Sequence, residues 1–184
     1  MPSILDPLVD RAAGIRKGTR WYQQAVASIA DKISARRLMN QGKLNGRPSI
    51  GRLNMFFYDP KFKKTLPYYD TFPLVLPIEN YPDGFLGINF HYLPMSLRLK
   101  LLDRVIDYSN NTKFDESTRL AVDYSKLKKI NLIKPALKRY LAGRVKTQFR
   151  RVDADEFTVA VLLPIARWKK GTAAEVYKDS RSII

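Results

Sequence analysis

The chain has 184 residues, no cysteine and a single histidine, His91. The first absence removes disulfide frameworks and thiolate metal sites, and the second removes any metal cluster built on histidine. No apolar run reaches the roughly 18 residues a spanning helix needs, and the opening MPSILDPLVDRAAG lacks the basic-then-apolar layout of a secretory signal. A soluble protein made inside a cell, with no membrane contact, is the expectation. The patterns G-x-x-x-x-G-K-[ST], G-x-G-x-x-G and G-x-S-x-G do not occur either. Nucleotide hydrolysis, dinucleotide binding and the hydrolase elbow therefore lack support, and no cofactor is expected.

Negative charge is the remaining shortage. Seventeen Asp/Glu stand against 33 Lys/Arg, a net charge of +16. The excess is uneven, being +6 over residues 1–50, zero over 51–90, +3 over 91–130 and +7 over 131–184. A neutral middle with basic flanks creates a field that attracts polyanions, chiefly nucleic acid, and also acidic protein surfaces. A basic surface serving only solubility or assembly is the plainer alternative. With 45% hydrophobic and 27% charged residues the chain has a globular composition. Its length suits one domain, or one domain with an ordered arm.

Local patterns divide the chain. Leu5, Leu8, Val9, Ala12 and Ile15 have helical spacing, as do Tyr22, Ala25, Val26, Ile29 and Ile33 after Thr19, a candidate N-cap. QGKLNGRPS reads as a loop and hinge. The segments 53–58, 72–78 and 84–91 are aromatic and β-branched and are bounded by turn residues, which predicts a small, strongly bent antiparallel sheet. Pro73 and Pro77 remove ladder donors from the second of these, which predicts an edge strand open to a partner. Pro94 opens a helix with Leu97, Leu101, Leu102 and Val105 inward and Arg98, Lys100 and Arg104 outward, ending at Asn110-Asn111. A short connection over 115–132 follows. Pro135 predicts a second such helix using Leu137, Leu141 and Val145. Asp153-Ala154-Asp155-Glu156 has the reciprocal capping pattern of a helix start, but Phe157, Val159, Val161 and Leu163 alternate as in a strand, so this segment stays open. The last residues read as a tail that orders against a neighbour.

Few residue groups point to catalysis. Pro82-Asp83 resembles the opening of a metal-dependent nuclease pattern, but GFLGINFHY supplies neither the second acid nor the lysine that phosphodiester cleavage on Mg²⁺ requires. Asp59, Asp70, Glu79 and Asp83 read as turn residues, Asp59 and Asp83 directly beside Pro or Gly, whose side chains bond nearby backbone. His91 reads as an anchor at a strand-to-helix corner rather than a base, since no nucleophile accompanies it. The aromatic residues of the middle block, from Phe56 to Tyr92, fill a core in the plainer reading; beside Lys61, Lys63 and Lys64, some of them offer a platform for stacking unpaired bases in the other. The cations are more telling, because charged outer faces normally mix signs. Lys32, Arg36 and Arg37 lie in the N-terminal arm, and Lys134, Lys138, Arg139, Arg144, Lys146, Arg150 and Arg151 form the densest cluster, suited to phosphate or an acidic protein surface.

The middle block also resembles the DNA end-protector family of T-even-like, contractile-tailed phages of marine bacteria. The similarity rests on Tyr58-Asp59-Pro60-Lys61, Leu66-Pro67-Tyr68-Tyr69-Asp70, Phe72-Pro73-Leu74-Val75, Asp83-Gly84-Phe85-Leu86-Gly87 and Asn89-Phe90-His91-Tyr92-Leu93-Pro94. Weaker echoes lie at Lys138-Arg139-Tyr140-Leu141 and Leu162-Leu163-Pro164, so residues 53–164 are covered and the N-terminal arm is not. The resemblance implies a non-catalytic virion protein, assembled in the bacterial cytoplasm, that associates with packaged genome ends and completes the head before the tail joins. The same residues suit a baseplate or neck adaptor that grips neighbouring subunits through basic arms and an open strand edge.

The resulting expectation is an α+β fold with a barrel-like bent sheet flanked by basic amphipathic helices. It is divided into a basic helical arm (1–48), a core (49–165) and a basic tail (166–184). Double-stranded DNA ends, other virion proteins and further copies of the chain in a symmetric particle are the expected partners.

Overall fold

A computed structural model of the chain describes residues 4–8, 18–107, 127 and 129–184. The expected continuation of the first helix to Ile15, the Asn110-Asn111 stop and most of the 115–132 connection lie outside the described residues.

Helix α1 (Thr19–Ala27) starts after Gly18, which takes the N-cap position expected of Thr19. The apolar periodicity that ran on to Ile33 is interrupted by a 3₁₀ turn at Ala30–Lys32. Ser34 then restarts the chain as helix α2 (Ala35–Gln41), its hydroxyl accepting from the Arg37 N–H at 3.2 Å. The expected loop that follows contains strand β1 (Lys43–Asn45).

Six strands form one sheet, in the spatial order β1, β7, β2, β4, β5, β6. They are β1, β2 (Asn54–Met55), β4 (Leu74–Tyr81), β5 (Gly84–Asn89), β6 (Leu137–Leu141) and β7 (Phe149–Arg151). Every pairing is antiparallel. Strands β3 (Tyr69–Asp70) and β8 (Trp168–Lys169) make a separate ribbon. The fold class is α+β. The large sheet is open, ending at β1 and β6, so it does not close as a barrel.

The Tyr-Pro-Asp-Gly signal is a tight hairpin joining β4 to β5, with Tyr81 opposite Gly84. The close approach explains the glycine: a Cβ on Gly84 would collide with the Tyr140 carbonyl of β6. Strand β4 is central rather than an edge. Pro73 precedes the strand, and Pro77 within it is tolerated because β2 pairs only with Leu74 and Val75 and a register shift after Pro77 accommodates the missing donor.

Residues 137–141 form a strand, not the helix expected after Pro135, with Leu137 opposite Ile88 and Tyr140 opposite Phe85. Helix α3 (Met95–Asp107) follows Pro94 as expected and buries Leu101, Leu102 and Val105. The open segment is helical between Asp153 and Leu163, which flank it in extended conformation. Asp153 and Glu156 close a capping box, and a 3₁₀ turn (Ala154–Glu156) leads into α4 (Phe157–Leu162). The presumed tail is ordered on its own chain as α5 (Ala173–Ile183), begun by the Thr172/Glu175 capping box. Its Ser180 hydroxyl donates to the Tyr92 carbonyl at 2.6 Å.

Strand alternation separates two cores. Met55, Leu74, Leu76 and Ile88 face one that includes residues of helices α1 to α5, together with Leu5 and Leu8 from the N-terminal segment. Phe56, Tyr58, Val75, Phe85, Tyr140 and Phe149 pack on the opposite face. Edge-to-face contacts there, such as Phe56 on Tyr140 with ring centres 5.4 Å apart, add specificity to the area buried.

Arg98, expected on the surface, is 1% exposed. Its guanidinium donates to the carbonyls of Leu93 (2.7 Å), Val161 (3.1 Å), Leu163 (3.5 Å) and His91 (3.4 Å) and to the Tyr177 hydroxyl (2.9 Å). One side chain thus ties α3, the end of α4 and α5 together.

Candidate nucleic-acid interface

A cavity of about 420 Å³ opens beside the aromatic face, between β6 and the loop preceding β3. Its walls are rings, those of Tyr58, Phe62, Tyr68, Tyr69, Tyr92 and Tyr140, and Asp70 and Asn89 also line it. Lys61, Lys138 and Arg139 bring positive charge. The period of two puts Lys138 on the same side of β6 as Tyr140. Most of these rings are held by packing, but Phe62 is 63% exposed at the mouth, with the Lys61 ammonium 5.3 Å from its centre.

The loop of residues 60–66 is fixed from an unexpected direction. Lys170, the one described non-glycine residue with positive φ (66°), sends its ammonium to the carbonyls of Lys63, Lys64 and Leu66 at 2.5 to 3.2 Å. Tyr68, behind the loop, donates its hydroxyl to Asp179 of α5 at 3.1 Å. Burial, reinforced by that carboxylate, pushes its pKa up to about 12.

Lys138 lies 3.9 Å over the Tyr92 ring and makes no salt bridge with a described carboxylate. Burial alone pulls its pKa down to about 8. Arg139 pairs with Asp83 across the hairpin and stacks on Tyr81 at 4.1 Å. Around Asp59, the Lys63 ammonium bonds the carboxylate at 2.8 Å, and Lys146 and Arg144 stand close enough to act on it electrostatically. The Lys63 hydrogen bond first, then these cations, hold the Asp59 carboxyl below its usual range. Lys61, Lys64, Arg144 and Lys146 themselves make no salt bridge with any described residue. Among the described residues the cations here outnumber the carboxylates, which leaves a net positive field.

The cations singled out in the sequence fall into separate places. Lys138 and Arg139 line the cavity, and Arg144 and Lys146 stand near Asp59, next to the lining residues Tyr58 and Pro60. Lys32, Arg36 and Arg37 are exposed together at the start of α2, and Lys134 is exposed in the turn before β6. Arg150 is 1% exposed, under Gly42, and donates to Glu156 at 3.3 Å. Arg151 pairs with Asp153 at 3.2 Å. These last two serve the junction of β7 with the capping box. Lys61, Lys63, Lys64 and the cavity rings were visible in the sequence as lysines beside aromatics, but nothing in sequence order placed β6 opposite them.

Among the described residues, no group of three or more His, Asp or Glu is placed to hold a metal ion. The four acids considered for a nuclease have other engagements. Asp59 and Asp83 are ion-paired, Glu79 accepts from the Tyr81 hydroxyl, and Asp70 is buried. Asp70 Oδ1 accepts from the Phe72 and Arg167 N–H groups at 2.9 and 3.0 Å, and Oδ2 from His91 Nδ1 at 2.6 Å. Burial opposes the charge, but His91 and the two backbone donors outweigh it and keep the carboxyl below its usual range. His91 is fully buried; burial lowers its pKa despite Asp70, so the ring is neutral and donates from Nδ1. The pair anchors the corner where β5 gives way to α3.

The family model described as Phage T4 terminal DNA protecting protein matches residues 5–180. No curated protein and no solved structure matches the chain.

Proposed function

The chain belongs to the Phage T4 terminal DNA protecting protein family, and on that premise we propose that it is a virion protein that binds the ends of packaged double-stranded DNA without cutting them. The observation that carries this reading is the set of lysines and arginine beside the cavity, Lys61, Lys64, Arg144 and Lys146, none of which makes a salt bridge with a described residue. Phosphate oxygens are the complementary ligand, and each neutralised phosphate releases condensed counterions. The exposed Lys32, Arg36 and Arg37 add further positive charge elsewhere on the surface, whereas Arg150 and Arg151 are internally engaged. The protein is made in the infected bacterium, remains at the genome ends, and contributes there to completing the head before the tail joins.

The test is exonuclease challenge of a linear blunt duplex with and without the protein. Wild type slows digestion from the ends, and changing Lys61, Lys64, Arg144 and Lys146 together to Ala restores it. Digestion at an unchanged rate in the presence of saturating wild-type protein contradicts the proposal.

A second reading, an adaptor gripping neighbouring subunits of the neck or baseplate, draws on a different feature. Strand β1 ends the sheet and presents Leu44, a large apolar side chain that is 45% exposed. It requires residues 43–47 to gain protection from proteolysis in the particle. Equal protection in the free protein counts against it.

A further inference from the structure

We propose that the aromatic cavity receives the terminal nucleotide of a DNA strand, with its base against the tyrosine and phenylalanine rings and its phosphate on Lys138. This rests on the end-binding reading above and adds to it where the end is held.

Three features of the cavity point to such an occupant. Its volume, about 420 Å³, is that of a small-ligand site, and it is walled by flat π-faces with few polar groups, the surroundings that stack bases without regard to sequence. Lys138 is largely withdrawn from water yet pairs with no described carboxylate and lies 3.9 Å over the Tyr92 ring. A cation in that position is costly until an anion joins it. Phe62, 63% exposed at the mouth, is a large apolar group left mostly in water. An interior base pair of a duplex cannot present a single base to such a cavity without being extruded from the stack. A terminal pair has a neighbour on one side only, so opening it costs less. The cavity thus favours ends over interior sequence, which a basic surface alone does not.

The experiment uses the full chain, a blunt duplex with the fluorescent adenine analogue 2-aminopurine either at a terminal or at a central position, and competition between linear and covalently closed circular DNA. Wild type changes the fluorescence of the terminal probe only and prefers linear DNA. The variants Phe62→Ala and Lys138→Met, the second keeping an unbranched side chain over Tyr92, lose the terminal signal and reduce the preference for ends about tenfold, the loss expected for one stacked base. Their binding to circular DNA stays within about twofold of wild type. A preference for ends that survives in both variants, with no change in the terminal probe, overturns the cavity assignment and leaves end binding standing. Equal affinity of wild type for linear and circular DNA overturns both.

Discussion

Replacing Arg98 by alanine removes a guanidinium that holds four backbone carbonyls and the Tyr177 hydroxyl in the interior. Three of these bonds are 3.1 Å or shorter, to Leu93, Val161 and Tyr177, and dominate the effect. Each leaves behind a buried polar atom whose lost partner costs about 1–2 kcal/mol, so the substitution should destabilise the protein by about 4 kcal/mol. With a urea slope of about 2 kcal/mol/M for a chain of this size, the unfolding midpoint falls by about 2 M. Arg98→Lys recovers only part of this, since one ammonium cannot reach carbonyls spread around a planar fork. The assay is urea unfolding followed by far-ultraviolet circular dichroism, with limited proteolysis as a check that α5 is released in the alanine variant. A midpoint shift below about 0.5 M would refute the reasoning, because it would mean that the carbonyls find other donors without rearrangement of the three helices.

Acid stability depends on His91, the sole histidine. Its pKa is lowered in the fold, so the unfolded chain takes up a proton near pH 6.5 that the folded chain refuses; stability is full above that pH and falls below it, by up to about 1.4 kcal/mol per pH unit. Asp70, also lowered, adds a loss only below about pH 4. Urea midpoints at pH 7.5, 6.5 and 5.5 should decline in wild type and flatten in His91→Asn; parallel declines would contradict this. Thr172→Ala removes the hydroxyl of the α5 capping box and should cost about 1 kcal/mol, read as a lower thermal midpoint, whereas Thr172→Ser should be close to wild type. Gly84→Ala should destabilise by more than 1 kcal/mol, about the magnitude of overpacking, because its Cβ meets the Tyr140 backbone; an unchanged urea midpoint would show that the hairpin moves aside freely.

Local chemistry was legible where it was decided locally. The Tyr81-Pro82-Asp83-Gly84 hairpin and the helix opened by Pro94 each rest on neighbouring residues and stand in the structure as read, and the Asp153/Glu156 capping pattern, whose segment stayed open in the sequence, does start a helix. The segment 137–145 misled because Leu137, Leu141 and Val145 recur every four residues, a helical interval, while the free side of β5 takes residues 137–141 as a strand. Arg98 and Arg150 misled for a related reason: a cation among leucines on a helix, or in a basic run, looks exposed until the carbonyls or carboxylate that converge on it are known. Of the middle-block aromatics, Phe56 and Phe85 pack the second core, as the plainer reading had it, whereas Phe62 stands exposed at the mouth of the cavity. No short stretch of sequence contains the cavity itself, since β6 and the loop before β3 are about 70 residues apart in the chain.

The central claim, that the cations around the cavity mouth meet DNA phosphates, is tested most directly by the salt dependence of binding to a short blunt duplex. In the wild type the logarithm of the association constant should fall steeply and linearly with the logarithm of salt concentration. Changing Lys61, Lys64, Arg144 and Lys146 together to Ala should make that slope shallower by about three to four units, close to 0.9 per lost phosphate contact. A slope that is the same in both proteins would contradict the account.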